Sequence, residues 1–340
     1  MSSPTEGFVL QTAPHAHKAA SVRRIMHGVN VSLIPVIVIS ILYFGIRVLG
    51  LYVIAVLSCV GTEALVKVVR RQSWTSILDG SAVVTALLLV MVLPPGISPV
   101  IVVIGSAVAI FIGKEVFGGI GQNVFNPALV GRAFIAAAYP VQITEWTPAR
   151  EVFRFLPPAQ TLSVTDGVTT ATPLAAARFD GINESLTRLF FGQTGGSIGA
   201  TSVLFIMIGG LALLWLQIIR WRMVASFLGT IVVGTGIFWL INPASYASPL
   251  YHLLAGGVVF AAFYMITDMV TTPYTHTGTV IFGVGAGILT VIIRLFGGFP
   301  EGVMYAILLM NAVTPIINRR NNRVFGTEPT TRGAAKETST

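Results

Sequence analysis

Leu89-Val90-Met91-Val92-Leu93-Pro94-Pro95-Gly96-Ile97-Ser98-Pro99-Val100-Ile101-Val102-Val103 is the middle of a run without a single charge, from Gly80 to Gly113. A hydrocarbon core about 30 Å thick is crossed by about 20 mostly apolar helical residues. The run is too long for one crossing, and Leu93-Pro94-Pro95-Gly96 is a turn signal at its centre. It therefore reads as two membrane helices joined by a tight turn. A second uncharged run, Met223 to Thr267, is divided in the same way by Asn242-Pro243 and Pro249.

Working outward, the same measure places helices near Ile25 to Val48, Leu51 to Val69, Ile77 to Leu93, Val100 to Val116 and Pro127 to Tyr139. After a polar connection come Ser197 to Ile219, Met223 to Ile241, Tyr251 to Asp268, Gly278 to Phe296 and Val303 to Ile317. The expected fold class is thus an all-α polytopic membrane protein of about ten transmembrane helices. Composition agrees: charged residues are 10% of 340 and apolar ones 54%, far from the quarter or so charged in soluble domains. The formal charge of +8 does not point to nucleic acid, because the cations fall between apolar runs. Cys59 is the single cysteine, so the chain supplies no disulfide and no thiolate set for zinc or iron-sulfur. His15 and His17 have no cysteine or acidic companions that would make a metal site.

Lysine and arginine set the expected orientation, since cytoplasmic connections collect them. With the N-terminus inside, the inner face receives Lys18, Arg23, Arg24, Lys67, Arg70, Arg71, Lys114, Arg220, Arg222, Arg319, Arg320 and Arg323. Trp221 is then an interface anchor. Both termini are expected to be cytoplasmic, and the 140–196 connection falls on the outer face. The expected segments are a retained cytoplasmic N-terminus (1–24), a first membrane repeat (25–139), the outer loop (140–196), a second membrane repeat (197–317) and a basic, disordered tail (318–340).

Five crossings before the loop and five after it imply two inverted repeats, because an odd number turns the second copy over. Each half carries one helix-breaking stretch: Gly118-Gly119-Ile120-Gly121-Gln122-Asn123-Val124-Phe125-Asn126-Pro127 and Thr267-Asp268-Met269-Val270-Thr271-Thr272-Pro273. Irregular backbone at membrane depth survives only when buried in protein or lining a cavity, so paired breaks fit a central site. Two ordinary loops just inside the membrane surface fit the same residues.

The outer loop holds Asp166-Gly167-Val168-Thr169-Thr170-Ala171-Thr172-Pro173-Leu174. Thr172 before Pro173 reads as an N-cap followed by proline at the first helical position, with a short helix through Arg178. A helix start welcomes an anion, so a phosphate on Thr172 would be well placed; from these residues alone a capped loop that binds nothing is the plainer reading, because capped loops are common. Ionisable residues within or near the apolar segments are Glu63, Asp79, Lys114, Glu115, Arg132, Asp268 and Arg294. Asp268, on the second break, is the candidate for ion coupling or for hydrogen bonding to an internal flavin, against the plainer role of a paired structural charge. Lys114 and Glu115 read as interfacial, and Glu63 with Lys67 as an i,i+4 helix pair.

With Ala13-Pro14-His15-Ala16-His17, Arg24-Ile25-Met26, Asp79-Gly80-Ser81-Ala82, Leu93-Pro94-Pro95, the Gly118 to Ala128 segment, the threonine-rich loop and Thr267-Asp268 in this order, the chain resembles the D subunits of Rnf complexes, ion-translocating ferredoxin:NAD oxidoreductases. It is more distantly similar to the B subunits of sodium-translocating NADH:quinone oxidoreductases. The resemblance runs over nearly the whole chain. It implies a fold like that of urea channels, FMN linked through its phosphate to Thr172, and surroundings formed by Asp166, Thr169, Thr170, Ala171 and Pro173. It also implies a second, noncovalent flavin (riboflavin), for which Gly118, Gly119, Asn123 and Asn126 are candidates as a flavin or quinone-like site. Implied partners are an outer-face FMN subunit, other membrane subunits, iron-sulfur subunits and a flavin transferase, with lipid around the helices and no nucleic acid. The implied setting is the bacterial cytoplasmic (inner) membrane, with the Thr172 loop periplasmic, and the implied activity is an electron relay coupled to Na+ or H+ movement. Relatives often have glycine at the position of Thr170 and proline at that of Met269. The rival class is a channel or secondary transporter for a small solute, which would not need Asp166 to Leu174.

Overall fold

A computed structural model of the chain describes residues 21–72, 74–153, 171–243, 245–298 and 301–320. Asp166, Thr169, Thr170, His15, His17 and the Ala13 to His17 stretch lie outside the described residues. All regular elements among those described are helical.

α1 (Val22–Ser32) and α2 (Ile34–Phe44) run on from one another through Leu33, with Pro35 in the first turn of α2. α3 (Ile46–Val69) follows directly after Gly45, whose φ of 87° lets the chain reverse without a loop. A short 3-10 turn (Trp74–Asp79) leads to α4 (Ser81–Met91) and then, past Pro94-Pro95, to α5 (Pro99–Ile110). A π turn over Phe111–Glu115 extends α5 and ends at the first break. α6 (Pro127–Ala138) leaves that break, and α7 (Pro140–Thr144) follows it. α8 (Pro173–Ala175) runs into a π turn (Ala176–Asp180), and α9 (Leu186–Phe191) closes the polar connection. The second half contains α10 (Val203–Trp215), α11 (Trp221–Ile241), α12 (Pro249–Leu254) and α13 (Val258–Phe260). A further π turn (Ala261–Met265) precedes the second break, after which come α14 (His276–Phe296) and α15 (Val303–Arg320).

Among the described residues four helical segments are long and apolar enough to cross a membrane: Val22–Phe44, Ile46–Val69, Trp221–Ile241 and His276–Phe296. Their outward faces are apolar as well; Leu57 is 67% exposed and Leu240 74%. A helix that is apolar all round belongs in lipid or in a large core, and an open apolar face settles which. α4 takes the other place, buried on nearly every side and packed by α1, α3, α5 and α6. Small residues let these helices close in. A Cβ added at Gly131 on α6 would lie 2.7 Å from the Gly105 carbonyl oxygen of α5, so the two backbones touch.

Three sequence expectations are corrected here. Tyr251 to Asp268 is not one helix: Gly256 and Gly257 both have positive φ (67° and 69°) and separate α12 from α13. Glu63 and Lys67 do not pair along α3 but reach across to the π turn after α5, Glu63 to Lys114 at 2.7 Å and Lys67 to Glu115 at 3.2 Å. Lys114 and Glu115 are accordingly buried, not interfacial; the extra residue of the π turn rotates both side chains inward.

Candidate functional site

The two breaks meet. Asn126 begins α6 as its N-cap, its Oδ1 accepting from the backbone N–H groups of Ala128 (3.1 Å) and Leu129 (3.4 Å). Its amide nitrogen donates to the carbonyl of Met265 at 3.4 Å, at the end of the π turn that precedes the second break. Beside this contact lies a cavity whose lining includes Ser81, Lys114, Asn123, Asn126, Tyr264 and Asp268. Both irregular segments border this one cavity. Gly118 and Gly119 do not line it. With φ of 119° and 102° they make the turn beside Lys67 and Glu115. Asn123 donates to the carbonyl of Phe125 at 3.2 Å, and Asp268 is half-buried at the cavity wall.

Thr172 lies toward the opposite ends of these helices. It caps α8 as the sequence suggests, its hydroxyl oxygen accepting from Ala175 N–H at 3.3 Å, and only 4% of the residue is exposed. Tyr251 donates to the carbonyl of Pro173 at 2.8 Å and pins the start of the helix. Against Thr172 opens a second cavity, walled by Trp146, Phe179 and Tyr305 and by the ion pair of Arg132 with Glu301 at 3.1 Å. Ala171 borders it too.

A smaller space, lined by Leu129, Arg132, Met265 and Glu301 among others, adjoins the Thr172 cavity. Arg132 and Glu301 border this space and the Thr172 cavity alike, while α6 carries Asn126 at the cavity of the breaks and Arg132 at the Thr172 cavity. They are six positions apart, about 9 Å along the axis. The Arg132–Glu301 pair escaped sequence reading, because its members are far apart in the chain and each is an isolated charge at a helix or loop. The buried charges of the first half adjoin the other cavity: Lys114 donates to Glu63 and to Ser81 Oγ, both at 2.7 Å, and Asp79 accepts from Ser81 N–H at 2.7 Å. No cluster of three or more potential metal ligands occurs among the described residues.

Residues 9–326 match the model of the NQR2, RnfD, RnfE family. Among curated relatives, the D subunit of the proton-translocating ferredoxin:NAD(+) oxidoreductase complex of Clostridium ljungdahlii is 42% identical, over 94% of this chain and 96% of the relative. The D subunit of the Na(+)-translocating ferredoxin:NAD(+) oxidoreductase complex of Acetobacterium woodii is 40% identical, over 94% and 95%. The D subunit of the ion-translocating oxidoreductase complex of Escherichia fergusonii is 36% identical, over 94% and 98%. A family match over residues 9–326, with relatives 36–42% identical over nearly the whole chain, places this protein in the NQR2, RnfD, RnfE family.

Proposed function

We propose that this chain is a flavin-carrying membrane subunit of a redox-driven ion pump of the ferredoxin:NAD oxidoreductase type, working beside other subunits of that complex. FMN is joined through its phosphate to Thr172 on the periplasmic face, and riboflavin occupies the cavity between the breaks. The observation that carries this reading is the fit at Thr172. Its oxygen is used as an acceptor for Ala175 N–H, and it donates to no group among the described residues, so esterification removes a proton that nothing there needs. A threonine without a neighbouring base does not esterify itself, and a separate flavin transferase makes the bond.

A bound flavin supplies transfer of one or two electrons. Trp146, Phe179 and Tyr305 offer apolar ring surface at the Thr172 cavity. Arg132, held by Glu301, offers compensation for an anionic group, and water is limited by the apolar wall. In the other cavity Asn123 and Asn126 present amides, and Tyr264 is fixed by donating to the Ser32 carbonyl at 3.0 Å. The short span of α6 between the cavities suits electron relay through the bundle. A channel or solute transporter is the competing class, but no specific feature of the cavities favours it.

The test is fluorescence of the denatured band of the protein from its native host. Flavin emission that stays with the polypeptide is expected, and Thr172→Val should abolish it without preventing membrane insertion. Emission that survives in that variant and disappears in Thr170→Val would move the attachment; an unmodified 155–178 peptide by mass measurement would remove the redox reading.

A further inference from the structure

A third cavity lies behind the Thr172 segment. Its lining includes Arg178, Ser245, Tyr246, His252, Arg294 and Leu295. The segment from Pro173 to Asp180 divides two spaces: Ala175 and Phe179 turn to the Thr172 cavity, while Leu174, Ala177 and Arg178 turn to this one. Among the described residues no acidic side chain borders it. Arg294 is 2% exposed, and neither it nor Arg178 has a carboxylate within ion-pair distance among the described residues. The Arg294 guanidinium is held by carbonyls alone: Nη1 donates to His252 O at 2.6 Å, and Nη2 to Ala255 O at 3.1 Å and Gly256 O at 2.9 Å. Arg178 Nη1 donates to the carbonyl of Arg294. Gly256 is required at this contact, since a Cβ there would lie 2.6 Å from Arg294 Nη2. Two buried polar atoms are left without a partner, Arg294 Nε and His252 Nδ1.

A cavity with two guanidinium groups, no carboxylate among the described residues and two unpaired ring or guanidine nitrogens has the chemistry of a phosphate site. Its position selects the carrier of that phosphate. Ser245 and Tyr246 belong to the turn after α11, and Arg294 and Leu295 to the last turn of α14, two helices of membrane-crossing length. Leu240 on α11 and Phe296 on α14 are exposed at 74% and 62%, so the two helices whose ends border the recess offer acyl chains an apolar face. We propose that this cavity binds the phosphate of an anionic phospholipid headgroup and that the lipid is a structural ligand of the chain. The site does not rest on the flavin reading.

Native mass spectrometry of the purified full chain tests this with three probes: phosphatidylglycerol, phosphatidylcholine and inorganic phosphate. Wild-type protein should retain one phosphatidylglycerol at concentrations where phosphatidylcholine is lost, and millimolar phosphate should not displace it. Arg178→Gln should raise the concentration needed for retention about tenfold, the loss of one charge-assisted hydrogen bond. His252→Asn should weaken retention in the same direction. If Arg178→Gln proves unfolded, Arg178→Lys decides: preserved charge should keep the selectivity for phosphatidylglycerol. Equal retention of both lipids, unchanged retention in folded Arg178→Gln, or displacement by phosphate alone would each overturn the proposal.

Discussion

At Asp268 the carboxylate does local work, accepting from Val270 N–H at 3.3 Å and from Thr271 Oγ at 3.1 Å, while bordering the cavity between the breaks. Asparagine would keep an acceptor oxygen for the turn and remove the charge, so Asp268→Asn separates the two roles. The expected result is retained covalent flavin with reduced ion movement in vesicles containing the assembled complex; undiminished transport would leave Asp268 as a turn former only. Thr172 differs in how it was legible. Its place as N-cap follows from Thr172-Pro173 in the sequence, since proline suits the first helical position. The aromatic wall and the Arg132–Glu301 pair facing it do not, because Trp146, Phe179 and Tyr305 come from three segments brought together only by folding.

α6 is the element on which both cavities depend. Its start is fixed by Asn126, which caps the helix with Oδ1 and reaches the other break with its amide nitrogen. Asn126→Ala should lower the unfolding temperature in detergent, with about 1 kcal/mol lost from the cap. Asn126→Asp restores the cap acceptor but turns a carboxylate oxygen toward the carbonyl of Met265. That variant is expected to be destabilised despite the restored cap, because a buried carboxylate then faces a carbonyl, and to lose noncovalent flavin measured after extraction; equal flavin content in both variants and wild type would remove Asn126 from the second site. The breaks themselves were readable from glycine, asparagine and proline, whereas the π turns before them were not. A π turn carries no residue signature here, and its consequence, the inward rotation of Lys114 and Glu115, reversed their expected placement.

Across the first half of the molecule, the buried charges of α3 pair with the π turn after α5 rather than along the helix. Removing one member of Glu63–Lys114 leaves an uncompensated ion, which costs about 3–5 kcal/mol, whereas removing both costs less. Glu63→Gln and Lys114→Met should therefore each depress the unfolding temperature more than the double variant does; additive losses would show that the 2.7 Å contact is not a coupled pair. The amino-acid sequence by itself determined the apolar segments, the turns that divide them, the two breaks and the capped threonine. Each of these depends on local backbone restrictions or on the length of hydrocarbon to be crossed, and both are written in consecutive residues. Only the tertiary structure decided that the breaks meet at Asn126 and Met265, that Glu63 chooses Lys114 over Lys67, and that Arg178 and Arg294 share a cavity that no acid among the described residues borders. Such choices follow from which helices can approach closely, and close approach is a property of packed surfaces, not of neighbours along the chain.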